Sequence, residues 1–561
     1  ALQVEEIALD AGIPLLRPGT NVLALHLLNA SKDDPDLLLL PELVAARTAE
    51  NRYLSAPTPG GPNGPGLLGL VEDTSFSADR GFYGEPVTVE IATATEGAAI
   101  YYSLDGSEPG PGKAGSKLYA GPLSFSSTTT LRAAAFKDGF HPTNVDTQSY
   151  LFPEAAARQP RLPAGLPAQW NGFPADYEVD PEVVNSARPG YGFVEALFSI
   201  PAISIVLPRE DLFGTAGGIY YHSSQVWERA ASVELIDPSG GEGFQENAGV
   251  RIHGYTSRQH DFTPKHSFRV VFKSRFGVAK LDFPLIPGHA VREFNQFVLR
   301  GMSTDSWPVS DGWPGPGPEP LRWYREKAQY LREQWMKDSQ ADMGNGACHG
   351  RFVHLFLNGL YWGLYNLTER ATDSFHASHF GGRREEYDVL KDFAEVHSGD
   401  AQAWSQMMGL AQAGLSSEAA YERIQGNNPG GTRNPAYPRY LDVDNLIDYM
   451  IVHIYAGADD WPNHNWWAGR RRGPESEGFR FFAWDQEITN NSLGRTNTSW
   501  GTRFEDVSAF NSPAYLYAQL RASPAFRLRF ADRVHRHLFN GGALTPDANV
   551  ERLLARAAEV D

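Results

Sequence analysis

The stretch 441–490 leaves this chain few ways to fold. Val443, Leu446, Ile447, Met450, Ile451 and Ile454 recur every three and four residues and share one helical face. Asp442 or Asp444 can cap the start, and Gly457 is a plausible stop. Two strand-like runs come next, 465–470 and 479–485, split by the turn-rich segment 471–478. Between helix and hairpin stands Asp459-Asp460-Trp461-Pro462-Asn463-His464-Asn465, and the second run ends in Trp484-Asp485-Gln486-Glu487. A buried helix therefore delivers one carboxylate onto a loop, an amide follows five positions later, and a hairpin returns a second carboxylate.

Phosphoryl transfer needs parts in this order. The transferred group requires positioning and charge neutralisation more than covalent chemistry. One carboxylate accepts the hydroxyl proton, while an amide oxygen and a second carboxylate hold Mg²⁺ against the phosphates. Asp460 and Asn465 have the spacing of the catalytic-loop Asp and Asn of protein kinases, and Asp485 stands where the metal-binding Asp would. The bland alternative is an Asx-rich turn between a helix and a hairpin.

Composition narrows the classes. At 561 residues three or so domains are expected. A net charge of −18 argues against nucleic acid or an anionic membrane as the main partner. No apolar run is long enough to span a bilayer. Cys348 is the single cysteine, so an internal disulfide and a Cys-based zinc site are excluded. The opening residues read as the interior of a domain and not as a signal peptide, so a longer protein is expected.

Along the chain, 15–26 reads as a turn into a strand and 37–40 as a second short strand, similar to the end of a jelly-roll, carbohydrate-binding-like module. Asp33, Asp34 and Asp36 are read as a solvated loop in preference to calcium ligands. Pro57, Pro59, Pro62 and Pro65 among glycines mark a linker. From 81 to 153 the pattern is all-β, with alternating runs at 87–91, 100–103 and 130–136. Ile100-Tyr101-Tyr102-Ser103-Leu104-Asp105-Gly106-Ser107-Glu108-Pro109, Tyr119-Ala120-Gly121-Pro122-Leu123 and Thr130-Leu131-Arg132-Ala133 resemble the small immunoglobulin-like domain of chitobiase C-termini. That resemblance implies a spacer or a weak glycan-binding module and assigns no chemistry. Residues 152–192, rich in Pro and Ala, are a second linker or a wrapping arm.

From Ile200 to about Arg300 β-type runs dominate: 202–207, 232–236, 249–253, 267–272 and 294–300. Helical patterns then take over, beginning with 321–338, where Leu321, Tyr324, Ala328, Leu331 and Trp335 form one stripe. Runs 351–358 and 361–367 form a hairpin around Asn358-Gly359. Segments 373–380, 401–413, the 441–456 stretch and 512–539 are mainly helical. A sheet-rich half followed by a helix-rich half is a bilobal arrangement, and a nucleotide would sit between the lobes.

A second constellation lies in the sheet-rich half. Arg251-Ile252-His253-Gly254-Tyr255-Thr256-Ser257-Arg258 joins two strand patterns, and Pro264-Lys265-His266-Ser267-Phe268-Arg269 opens the second. Arg258 and Lys265 can bring positive charge to a polyphosphate; surface decoration is the plain alternative. Taken with Leu331-Arg332-Glu333, the Asn358-Gly359-x-Tyr361-x-Gly363-x-Tyr365-x-Leu367-x-Glu369 hairpin, Asp460-Trp461-Pro462-x-x-Asn465-Trp466 and Trp484-Asp485, these motifs resemble the CotH family of spore-coat-type atypical kinases over residues 200–539. The resemblance implies a divergent protein-kinase-like fold, ATP, a divalent metal (Mg²⁺ or Mn²⁺) and phosphate transfer to Ser or Thr of a protein, usually outside the cytoplasm or in a spore coat.

Carried over by position, Asp460 is the catalytic base, and Asn465 and Asp485 are the metal ligands. Lys265 binds the nucleotide phosphates with Arg258 nearby. Glu333 is the candidate partner for Lys265, with a solvent-facing role as the alternative. Glu369, near the expected hinge, binds the adenosine or anchors the loop. The family often has a second acidic residue directly after Trp-Asp; here Gln486 and Glu487 follow, which shifts that position. The histidines at 253, 260 and 266 are scattered by strand alternation and are not read as a zinc site. His464 is read as shaping the loop, with a base role as the alternative.

The expected fold is α+β: a bilobal, divergent protein-kinase-like domain at 196–545, preceded by a jelly-roll tail (1–47), a linker (48–80), the immunoglobulin-like β-sandwich (81–153) and a linker or arm (154–195), and followed by a helical segment (546–561). One rival reading is a pseudokinase scaffold in a bacterial surface or cell-envelope protein. The other is glycan binding or modification by the β-modules, although no paired acids of a glycosidase stand out.

Overall fold

The computed structural model describes residues 8–25, 52–54, 58–62, 64, 66–309, 326–489 and 510–560. The chain divides into two compact units, Ala1–Leu68 and Gly69–Asp561. Described residues of the first comprise a 3₁₀ turn at Asp10–Leu15 and a lone bridge between Tyr53 and Leu67. The strand expected at 15–26 is absent from its described part, Leu15 to Leu25. The 37–40 run and the three aspartates at 33, 34 and 36 lie outside the described residues.

The second unit opens with the all-β module. Strands β1 (Gly81–Phe82), β2 (Ala99–Ser103), β3 (Lys117–Leu118), β4 (Thr129–Phe136) and β5 (Asp146–Leu151) form one sheet in the order β1-β5-β4-β2-β3. Its core is Val89, Ile91, Leu131, Ala133, Ala135 and Tyr150, the inward residues of alternating runs. A buried polar joint fixes the module to the sheet-rich half. The Ser149 amide donates to Glu234 at 3.1 Å, and the Ser149 and Ser204 hydroxyls meet at 2.7 Å.

The sheet-rich half closes on itself. Strands β6 (Ala202–Val206), β7 (Arg229–Ile236), β8 (Phe244–His253), β9 (Ser267–Val271), β10 (Gln296–Arg300), β11 (Gly350–Leu357) and β12 (Leu360–Thr368) form a barrel in the order β6-β7-β8-β9-β10-β12-β11. The parallel pair β6–β11, with Ala202 opposite His354, shuts it; every other barrel pairing is antiparallel. The β11–β12 turn is Asn358-Gly359, both at positive φ (48° and 79°), as its sequence demands. The 154–195 segment is an arm and not a free linker. Its Trp170 and Tyr177 are fully buried among Phe213, Tyr220 and Trp362 of the barrel core.

The helix-rich half contains α1 (Arg332–Asp342), α2 (Asp373–Phe380), α3 (Gln402–Ala413), α4 (Glu418–Ile424), α5 (Val443–Ala456), α6 (Pro513–Leu520), α7 (Pro524–Leu538) and α8 (Pro546–Val560). A four-stranded sheet accompanies them, β14 (Glu395–Ser398), β13 (Tyr387–Lys391), β15 (Trp466–Arg471) and β16 (Arg480–Ala483), in that spatial order. The Asp442 side chain accepts from the Asn445 amide and caps α5, and Gly457 ends it in the left-handed region. The helix expected at 321–338 is shorter at its start. Tyr330 is at φ 61°, and buried Asp305 accepts from the Gln329 amide at 2.9 Å and the Arg332 amide at 3.2 Å, so α1 begins at Arg332. Leu321 and Tyr324 lie outside the described residues.

Candidate active site

The loop after α5 and the turn after β16 meet. Asn465 donates through Nδ2 to the Asp460 backbone oxygen at 2.8 Å and to Asp460 Oδ2 at 3.2 Å. Its own carbonyl accepts from Gln486 Nε2 at 3.0 Å, which fixes the 465 loop to the Trp484-Asp485-Gln486 turn. The Gln486 amide in turn donates to Glu333 on α1. Glu333, Gln486, Asn465 and Asp460 thus form one hydrogen-bonded relay drawn from α1, the post-β16 turn and the post-α5 loop. Asn465 (φ 65°), Asp485 (φ 61°) and Asp392 (φ 31°) all hold left-handed backbone, and the Asn465 amide donates to Asp392 Oδ1 at 2.8 Å. Strained residues gather here because neighbouring contacts over-determine the loops.

Arg300, at the end of β10, supplies the cation. Its guanidinium donates to Asp485 and, at 2.6 Å, to Glu487, and lies 4.0 Å from Glu333. Lys337, one turn beyond Glu333 on α1, pairs with it at 2.8 Å and donates to Thr368 Oγ1 at 3.0 Å. Both cations stack over the Trp484 ring, at 5.1 and 4.6 Å. Burial alone would raise the Glu333 carboxyl, but Lys337 and Arg300 overcome it and bring it down to about 2. Glu487 goes the other way: burial, with Asp485 adding to it, pushes it up to about 7 against the pull of Arg300. Glu333, Asp485 and Glu487, three carboxylates, therefore share two cations, an excess of negative charge that a divalent ion would relieve. Asn465 Oδ1 and the second oxygen of Asp485 have no donor among the described residues, and they are the oxygen ligands such an ion prefers.

Asp460 is the exposed member, half open to solvent, and faces His464 at 3.1 Å. That hydrogen bond lifts the His464 imidazole above its ordinary value despite partial burial. The His464 ring also stacks on Phe393 at 5.7 Å.

Three of the expected nucleotide contacts lie elsewhere. Lys265 does not join the carboxylates. Its ammonium donates to the Asp176 carbonyl at 2.7 Å, lies 3.7 Å from the Asp176 carboxylate and sits 4.1 Å over Trp362. The arm supplies a carboxylate and a carbonyl there and the barrel an aromatic face, which together satisfy the cation where it stands. Arg258 donates to the Ser224 carbonyl at 2.9 Å. Glu369 accepts from the His349 amide at 3.0 Å and pairs with His379 at 2.8 Å, so it ties the end of β12 to the residue before β11 and to α2. Glu333 is neither solvent-facing nor the partner of Lys265; it is fully buried against Lys337 and Arg300.

The sequence reading missed a cluster of cations. Arg251 and Arg269 stand directly opposite each other on β8 and β9, where like charges repel. Arg370, just past β12, is 9% exposed, and its Nε and Nη1 are buried without a partner among the described residues. Its guanidinium lies 4.5 Å over Trp467, whose ring is 6.2 Å from Trp484. Burial and the nearby Arg269 and Arg251 press Arg370 down to about 9. His253, with its ring 6.2 Å from Trp484, is held well below its ordinary value by burial and by Arg370, Arg300, Arg269 and Arg251. Only the cross-strand position of Arg251 and Arg269 is readable from spacing; Arg300 and Arg370 enter through tertiary closure.

Comparison with known families bears on this arrangement. Residues 323–559 match the model of the CotH kinase protein family, which takes in Glu333, Glu369, Asp460, Asn465 and Asp485. Lys265 and Arg258 fall before that match. Residues 78–147 match the chitobiase/beta-hexosaminidase C-terminal domain, the β1–β5 module up to the start of its last strand. No curated protein matches the chain. The chain thus carries a CotH kinase domain preceded by a chitobiase-type C-terminal domain.

Proposed function

We propose that this protein is an ATP-dependent phosphotransferase of bilobal, divergent protein-kinase type, acting on Ser or Thr hydroxyls of a protein substrate. The observation that carries the reading is the relay joining Asp460, Asn465 and the Asp485 turn to Glu333. In the reaction, Asp460 takes the hydroxyl proton as the new O–P bond forms. The bond from the γ-phosphorus to the bridging oxygen breaks, and ADP leaves with that electron pair. Mg²⁺ or Mn²⁺ held by Asn465 and Asp485 would neutralise the phosphates. Arg251, Arg269 and Arg370 replace Lys265 as the groups that hold the phosphate tail, because they are partly or fully buried cations without an acid partner among the described residues. Arg300 and Lys337 keep Glu333 and Asp485 in place. An extracytoplasmic setting, with glycan contact by the chitobiase-type module, accords with the module's family.

The test separates binding from transfer. Asp485→Ala is expected to abolish the Mg²⁺-dependent thermal shift with ATP. Asp460→Ala keeps that shift and loses transfer by about 10²–10⁴-fold. The pairing of Lys265 with Asp176 favours a second reading, a pseudokinase scaffold, because it removes the expected phosphate cation. A wild-type protein that shows neither an ATP shift nor transfer decides for the scaffold.

A further inference from the structure

Apart from the carboxylate site, three histidines from separate segments come together. His289 lies in the loop of the Leu281–Asp282/Glu293–Phe294 hairpin, His349 directly precedes β11, and His379 is on the last turn of α2. One ring nitrogen from each lies within 4.8 Å of the other two. The His289 and His349 ring centroids are 4.0 Å apart, and those of His289 and His379 are 5.1 Å apart. We propose that His289, His349 and His379 form a zinc-binding site, with Glu369 as the carboxylate that orients His379.

The donor set selects the ion. Imidazole nitrogens suit zinc and its late-transition neighbours, whereas magnesium and calcium require oxygen. Zn–N bonds of roughly 2.0–2.1 Å in a tetrahedron place ligand nitrogens roughly 3.4 Å apart, so the rings need only small rotations to close on an ion. Buried Glu369 pairs with His379 Nε2 at 2.8 Å, which puts the proton on that nitrogen and leaves the Nδ1 lone pair for the metal. The same carboxylate accepts from the His349 amide at 3.0 Å and so holds a second ligand's backbone. The His349 ring makes no hydrogen bond among the described residues, and the residue lines an open cleft beside Asp338 and Arg552 that gives an ion its entry path. His289 Nδ1 accepts from the Val291 amide at 3.2 Å, and ligation replaces that one local bond. Water completes the fourth position. The consequence is a metal staple joining the Leu281–Asp282/Glu293–Phe294 hairpin, the residue before β11 and α2.

Metal-free protein titrated with Zn²⁺ alone is expected to bind one equivalent at this site, and Co²⁺ in its place is expected to give the visible absorption of a tetrahedral site. His289→Ala, in a loop whose loss leaves the fold intact by circular dichroism, should weaken Zn²⁺ binding at least about tenfold. Glu369→Gln, which keeps all three ligands, should weaken it about 10–100-fold. Asp485→Ala should leave it unchanged, which keeps this site separate from the phosphotransfer reading. The inference is overturned if wild type binds no Zn²⁺ at micromolar concentration. It is equally overturned if His289→Ala and Glu369→Gln both keep wild-type affinity, or if Asp485→Ala alone removes the ion.

Discussion

Two carboxylates on one guanidinium should respond in opposite ways to the same substitution. Glu333 and Glu487 both face Arg300, yet Glu333 is brought down to about 2 from its ordinary 4.5 while Glu487 is pushed up to about 7. A tenfold change in proton affinity on folding corresponds to about 1.4 kcal/mol. The charged form of Glu333 therefore stabilises the fold by about 3 kcal/mol, in line with the cost of breaking a buried pair. Because its value is depressed on folding, that contribution is complete above about 4.5 and is lost as the pH falls toward about 2. Glu333→Gln also leaves buried Lys337 with only Thr368 Oγ1 and the Trp484 ring. Glu487 has the reverse sign: its value is raised on folding, so its contribution is present below about 4.5 and lost as the pH rises through about 7. At about pH 8, urea unfolding followed by tryptophan fluorescence should show Glu333→Gln less stable by about 3 kcal/mol. Glu487→Gln should be neutral or stabilising under the same conditions, because it removes a charge the site holds in excess. Equal losses in the two variants would refute this charge account and assign the stability to hydrogen-bond geometry alone.

Lys265→Met should loosen the arm and expose the 154–180 segment to limited proteolysis, while ATP affinity stays within about twofold, since the ammonium serves Asp176. Arg370→Gln should do the converse, weakening ATP binding about tenfold with the arm still protected, because a buried charge-assisted contact of about 1.4 kcal/mol or more is lost. The Asp460–His464 pair sets a pH limb. His464 is raised above its ordinary 6.5, so the pair's stabilisation is present below 6.5 and lost as the pH rises through the higher folded value. Both groups are substantially exposed, so the effect on stability is at most about 1 kcal/mol. The readout is therefore the transfer rate, whose pH profile should lose the limb above 6.5 in His464→Gln.

The elements legible in the sequence are those whose signals are local. The α5 helix carries its stripe, its Asp442 cap and its Gly457 stop within sixteen residues, and all three hold. The Asn358-Gly359 turn is equally self-contained, and the β-type runs 202–207, 249–253 and 267–272 fall on barrel strands. The start of α1 falls later than its stripe predicts because its cap, Asp305, lies 27 residues away and reaches the helix only through the tertiary fold. The closed barrel is also invisible in the sequence. Its parallel β6–β11 pair joins segments about 150 residues apart, and no periodicity within either strand records that choice.

The same distinction explains the site. The acidic side is readable because Asp460, Asn465 and Asp485 lie on one helix-loop-hairpin unit, where a carboxylate and an amide five residues apart must share a loop. The cationic side is not, because nothing in a lysine's neighbours in sequence says which acid it will meet. Lys265 and Lys337 are chemically identical, but the arm brings Asp176 to the first, over the Trp362 ring, while the helical repeat brings Glu333 to the second at four residues' distance. Of the two, only the second pairing has a local signature, the i,i+4 spacing on a helix. Arg300 lacks even that, since its three acids come from residues 33 to 187 positions further along. A cation's role in this site is thus decided by which strand ends the closed barrel turns toward the carboxylates. The end of β10 carries Arg300 and β12 leads into Arg370, and these strands place their charge against Trp484 and Trp467, whereas the Pro264-Lys265 turn gives its charge to the arm.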